Sequence, residues 1–167
     1  VNYHRFTHSM EVTKLAVESA AASGFGAQKN AIMELMAAGM LHDFEPGRPV
    51  DEEPDVEHTG RIIEESGAIK RILEQEIGIK LAHVKAIITK TSFPYDTAAE
   101  SLHREALSGV ERQKTVEIEK LSAIMQDSGL LSTYIIPTPE LAEIRVRGLA
   151  KETNKSEEDV VAQTIDF

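Results

Sequence analysis

The sequence predicts an all-α fold, a compact helical bundle of about seven to nine helices. Three observations predict it. Apolar residues recur at three- and four-residue steps through nearly the whole chain, the spacing that lines up one face of a helix. No segment shows the strict alternation of a half-buried strand. The periodic segments are separated by glycine and proline clusters and opened by residues that cap helices. With 167 residues and 41% hydrophobic content, the chain is long enough to close one core, so residues 1–167 are read as a single domain.

In the first segment His8, Val12, Leu15 and Ser19 share a face, predicting a helix over residues 6–22 that Ser23-Gly24-Phe25-Gly26 ends. The second places Ile32, Leu35, Met36 and Gly39 on one side, which continues into His42 and Asp43 before Pro46, Gly47 and Pro49 stop it. Residues 44–54 read as an acidic, proline-rich loop. A helix follows from Pro54 to Ser66, then a shorter one carrying Ile69, Ile72, Leu73 and Ile77. Residues 79–90 form another, with Leu81, Val84, Ile87 and Ile88 as its buried side, and Thr91-Ser92-Phe93-Pro94 breaks it. The stretch to Gly109 is amphipathic. The longest pattern, Arg112 to Ile136, has Ile118, Leu121, Met125, Ser128, Ser132 and Ile135 along one edge and Leu121, Ile124, Leu131 and Ile135 along the other. Thr138-Pro139-Glu140 is a helix start, and Ser156-Glu157-Glu158-Asp159 resembles a capping box opening a last short helix.

Composition narrows the functions available. The net charge is −10, with no block of Lys and Arg, which disfavours binding to duplex nucleic acid. No run approaches the roughly 18 consecutive apolar residues of a membrane helix. Charged and histidine residues occupy the first positions, unlike a signal peptide, and the chain is read as cytoplasmic. It opens at Val1, only three residues before the first candidate functional residue, and is expected to be trimmed or cut from a longer protein. Nothing in the sequence sets its oligomeric state. Cysteine is absent, so any metal must be held by nitrogen and oxygen, which suits manganese, iron, zinc or magnesium.

Helical phase turns His8, His42 and Asp43 toward the interior. Asp43 also falls at a helix C-terminus, where the macrodipole disfavours a carboxylate and a bound cation would reverse the penalty. His42 can ligate the same ion through a neutral ring nitrogen. A fourth ligand is expected from a distant helix, and Asp127, set at helical spacing among Ala123, Leu130, Leu131 and Tyr134, is the candidate. His4 lies one turn before His8, either as a further ligand or as a general acid. His58 could complete a second metal site, or lie on a helix surface. Arg48 and Lys90 are the cations best placed for a substrate phosphate, beside a loop whose carboxylates Asp51, Glu52, Glu53 and Asp55 are expected to be solvated. His83 and His103 are expected on the surface.

In order and approximate spacing, His8, His42-Asp43 and Asp127 resemble the H…HD…D signature of the HD-domain metal-dependent phosphohydrolases. The string Tyr3-His4-Arg5-Phe6-Thr7-His8-Ser9-Met10-Glu11-Val12 is similar to the Y-H-N-x-x-H-A-x-D-V segment of class I cyclic-nucleotide phosphodiesterases. The resemblance covers residues 3–135 and rests on few specific positions. It implies a bundle of the HD type and one or two divalent metal ions on His8, His42, Asp43 and Asp127, with His4 as general acid. Asp43 would reach both ions, and a metal-activated water would attack a small phosphorylated substrate. The chain departs from the phosphodiesterase pattern in two places. Arg5 replaces an asparagine, and Glu45 stands near the position of a supporting histidine, a candidate for second-metal or supporting contacts. The nucleotide-gripping glutamine and phenylalanine have no counterpart in the last 40 residues, so the resemblance specifies no cyclic nucleotide. Two other functions compete: a catalytically degenerate HD module that binds metal or nucleotide and regulates attached domains, and a helical interaction domain with incidental histidines.

Overall fold

A computed structural model describes residues 3–46, 55–92, 95–134, 146–147, 150, 154 and 156–165; of these, Tyr3, His4, Arg5, Thr133 and Tyr134 are described as backbone only, as are Val160 and residues 163–165. Among the described residues there are eight α-helices and no strand. They are α1 (Tyr3–Ala20), α2 (Lys29–Leu41), α3 (Val56–Glu65), α4 (Gly67–Arg71), α5 (Leu81–Thr89), α6 (Thr97–Ser108), α7 (Arg112–Tyr134) and α8 (Glu157–Ile165). The all-α bundle expected from periodicity is therefore present. No helix among the described residues is long and apolar enough to cross a membrane.

The boundaries follow from local chemistry. A π-helical segment, Ala21–Phe25, extends α1, and Gly24 there adopts φ 91°, a left-handed conformation that glycine enters without the Cβ penalty. Asp55 opens α3 by accepting hydrogen bonds from the backbone of Glu57 and His58. Ser66 closes α3 through its N–H to the Ile62 carbonyl and opens α4 by accepting from Ile69. A second π-helical segment, Ile72–Ile77, ends at Gly78, φ 83°, whose N–H reaches the Leu73 carbonyl. Asp96 caps α6, accepting from Ala98 and Ala99. At α8 the Ser156 hydroxyl oxygen accepts from the Asp159 N–H at 3.1 Å, as the capping-box reading expects. Thr138-Pro139-Glu140 lies outside the described residues.

Val12, Ala16 and Ala20 of α1 meet Leu35 and Ala38 of α2 and Ile118, Leu121 and Met125 of α7 in one continuous core. Helix α1 packs on α2 and α7, while α5 is surrounded by α2, α3, α6 and α7. That surrounding explains why α5 is buried at Leu81, His83, Val84, Ala86, Ile87, Ile88 and Thr89, over most of its circumference rather than along one stripe, with Ala82 and Lys85 half-buried. It also corrects the expectation that His83 lies on the surface: Ala82 and Lys85 take the half-buried side of the helix, and His83 turns instead to Glu34 of α2. Met36 goes the other way: it is exposed, and Ala31, Leu35, Ala38 and Gly39 form the inner face of α2.

The contact between α1 and α2 is unusually close at one point. A Cβ placed on Gly39 would stand 2.9 Å from the Thr13 Cα, inside any normal contact distance. Only glycine permits this approach. It matters because His42 lies one turn after Gly39, and Ser9 and His8 lie one turn before Thr13.

Candidate metal centre

Where α1 and α2 converge, His8, His42 and Asp43 each offer one donor atom, all within 4.8 Å of one another. His42 is the C-cap of α2 and is buried. Asp43 follows in the turn with a half-buried side chain, and His8 reaches them from α1. The His42 Nε2 is 3.3 Å from Asp43 Oδ1, and the His8 Nε2 is 3.9 Å from Asp43 Oδ2. The two imidazole rings are 5.3 Å apart, tilted by 60°.

Hydrogen bonds on the far side of each ring decide which nitrogen carries the proton. His42 Nδ1 lies 2.8 Å from the Gly39 carbonyl oxygen, which can only accept, so Nδ1 donates. His8 Nδ1 lies 3.1 Å from the Ser132 hydroxyl oxygen. That hydroxyl donates its one proton to Glu11 Oε2 at 3.2 Å, so toward His8 it accepts, and again Nδ1 donates. In each neutral ring Nε2 is then the unprotonated nitrogen and turns toward Asp43. Two nitrogen lone pairs and a carboxylate thus converge with no proton between them. Among the described residues no Lys or Arg pairs with Asp43. Such a donor set could hold a cation. The chemistry of the donors, two imidazole nitrogens and a carboxylate, would suit a borderline or hard divalent ion.

Asp127 does not join this group. It is exposed on α7, and its expected apolar surroundings are themselves exposed at Ala123, Leu130 and Leu131. The buried stripe of α7 runs through Ile118, Leu121, Met125, Ser128 and Ser132, so the residue this helix presents to His8 is Ser132. His58 is exposed in the first turn of α3, away from the buried side carrying Thr59 and Ile63. Glu45 is buried, but its Oε1 accepts from the Asp55 N–H at 3.0 Å and from the Thr59 hydroxyl at 3.3 Å. It joins the segment after Asp43 to the start of α3. Lys90 lays its ammonium 4.5 Å from the centre of the Tyr95 ring. Arg48, Asp51, Glu52 and Glu53 and the side chains of His4 and Arg5 lie outside what is described; Asp55 is exposed, as expected, and its carboxylate caps α3.

A second histidine–carboxylate cluster went unread in the sequence. His83 of α5 is buried between Glu34 Oε1, 2.6 Å from Nδ1, and Glu111 Oε2, 2.7 Å from Nε2. Lys114 approaches Glu34 Oε2 at 3.5 Å and Glu117 at 2.7 Å, and Lys80 pairs with Glu111. Partial burial works against the Lys114 charge, yet the bonds and charges of Glu117 and Glu34 more than offset it and hold the amine above its ordinary value. A cavity of about 220 Å³ borders this network. The signal was available: Glu34 is in helical phase with Ala31, Ala38 and His42. His103, expected to be solvated, is likewise buried in phase with Ala99 and Ala106, with Nδ1 3.0 Å from the Thr89 hydroxyl. Burial, reinforced by the charge of Lys90, lowers its pKa, and contacts with the Ala86 carbonyl and Glu119 only partly oppose this.

No family model, curated protein or solved structure matches the chain.

Proposed function

We propose that this chain is a metal-dependent phosphohydrolase of the HD type, cleaving a small phosphate ester such as a nucleotide, either a phosphomonoester or a phosphodiester. The observation that carries the reading is the convergence of His8 Nε2, His42 Nε2 and Asp43 on one point with their remaining protons committed elsewhere. The H…HD order of the same residues supports it. When bound, one or two divalent ions would activate water and stabilise negative charge on phosphoryl oxygens. The protein's share is to hold three donors in place, with two of the three largely shielded from solvent. His4, one turn before His8 on α1, is assigned to protonate the leaving oxygen.

A specific observation favours a second reading, a regulatory module without turnover. With Asp127 exposed, the described residues supply three ligands rather than the four of the resembled signature. The two readings part on one assay. The purified chain, supplied with manganese, iron or zinc, is tested on a panel of phosphate esters beside Asp43→Ala. Turnover lost in Asp43→Ala supports the hydrolase, and His4→Ala should then keep its metal and fall in rate by about 10²–10⁴-fold. Stoichiometric metal with no turnover on any ester overturns the hydrolase in favour of the regulatory module.

A further inference from the structure

The buried stripe of α7 contains three serines, and they behave differently. The hydroxyls of Ser122 and Ser128 fold back onto the carbonyls of Ile118 and Ile124 in their own helix, both at 2.7 Å. Such back-bonding is the ordinary fate of a serine inside a helix. The Ser132 hydroxyl instead crosses to α1, donating to Glu11 and accepting from His8, although it is almost wholly buried. Glu11 and His8 are three residues apart and so share the face of α1 turned to α7. Glu11, Ser132 and His8 form a chain of hydrogen bonds whose last member points its other nitrogen at Asp43.

We propose that Glu11 and Ser132 are positioning residues for the metal centre: together they fix the tautomer and ring orientation of His8, so that Nε2 is held as a donor facing Asp43. This rests on the reading of His8 as a metal ligand. The chemical logic is that a carboxylate can only accept. It therefore takes the serine proton, the serine oxygen must accept from Nδ1, and the histidine has one tautomer left. His42 is set the same way by a backbone carbonyl that needs no side chain. The centre has one ligand oriented by its own helix and one oriented by a relay across the α1–α7 interface. Helix α7 thus serves the centre from behind His8, through a hydroxyl rather than through Asp127. Groups that hydrogen-bond the distal nitrogen of a ligating histidine also make it a better donor, and their loss weakens metal binding.

The test uses the whole chain, freed of metal, and two readouts. Zinc is titrated into the wild type, Ser132→Ala, Glu11→Ala and Glu11→Gln, and the tautomer of His8 is read from its ring nitrogen shifts without metal. The expected result is a loss of zinc affinity of about 10–100-fold in Ser132→Ala and Glu11→Ala, with His8 leaving the Nδ1–H tautomer. Glu11→Gln keeps an acceptor for the serine proton and should retain the tautomer with a smaller loss. Wild-type affinity and an unchanged tautomer in Ser132→Ala would overturn the proposal. The tautomer measurement needs no metal, so it judges the relay even if the wild type binds no zinc, a result that would instead sink the metal reading. Thermal melts of each variant separate either effect from unfolding.

Discussion

Helix α2 carries one histidine–carboxylate cluster at its middle and another just past its end, and the two are opposites. At mid-helix Glu34 meets His83, whose second nitrogen meets Glu111, with Lys114 and Lys80 adding positive charge. Every polar atom of the imidazole faces an acceptor, and cations stand by the carboxylates. Just beyond its C-terminus His42 and Asp43 meet His8, both rings give their protons to groups on the far side, and no lysine or arginine answers Asp43 among the described residues. The first cluster is closed, so it reads as a clasp joining α2, α5 and the start of α7. The second, on the proposed reading, takes a cation. Burial does not separate the two histidines, since both are buried; their partners do: His83 lies between two carboxylates, while His42 gives Nδ1 to the carbonyl of its own helix and turns Nε2 to a carboxylate shared with His8.

Breaking the clasp should have the largest effect on folding. Glu34→Ala removes one partner of a buried charge network and leaves the others uncompensated, so denaturant melts should show a loss of about 3–5 kcal/mol. Zinc affinity measured on the folded fraction should stay near the wild type. A smaller effect is expected from Gly39→Ala, where the new Cβ meets Thr13 on α1. Overpacking of this kind costs about 1–3 kcal/mol, and because the contact lies between the two ligand-bearing turns, metal binding should weaken as well. A cost in stability with unaltered metal affinity would show that the centre does not depend on this approach.

The pH response offers a finer separation. His103 lies outside both clusters and its pKa is lowered in the folded chain, so the unfolded chain takes up the proton first. Its contribution to stability is complete above its ordinary value near 6.5 and is lost as pH falls from there through the lowered folded value. Melting temperatures of the wild type should therefore drop relative to His103→Gln below about pH 6.5 and run parallel above it. The smallest effect belongs to Asp127→Ala. An exposed residue outside the group should leave zinc affinity unchanged, and a large loss would restore it as a ligand.

Much of this was legible in the sequence, and the part that was not has physical causes. Alternation at three and four residues located α1 to α7 and turned His8, His42 and Asp43 to one side, because α1 and α2 each bury a single stripe. The same reasoning misplaced His83 because α5 is enclosed over most of its circumference, where a periodicity argument assumes a single buried stripe. It misplaced Asp127 by one position: Ser128 and Ser132 continue the buried stripe, and an apolar neighbourhood along one helix is not a buried one when Leu130 and Leu131 are themselves exposed. Glu34 and His103 were hidden by their residue type. Both sit in phase with small apolar neighbours, and only the partners supplied by other helices reveal why burial is tolerated.

The most direct test of the contrast between the two clusters is a zinc titration of untagged, metal-free protein, run on the wild type, Asp43→Ala and His83→Gln. The prediction is stoichiometric binding in the wild type, none in Asp43→Ala, and wild-type affinity in folded His83→Gln. If the wild type takes up no zinc, nor manganese or iron in its place, then His8 and His42 answer Asp43 with protons instead. The open cluster would then be a second clasp.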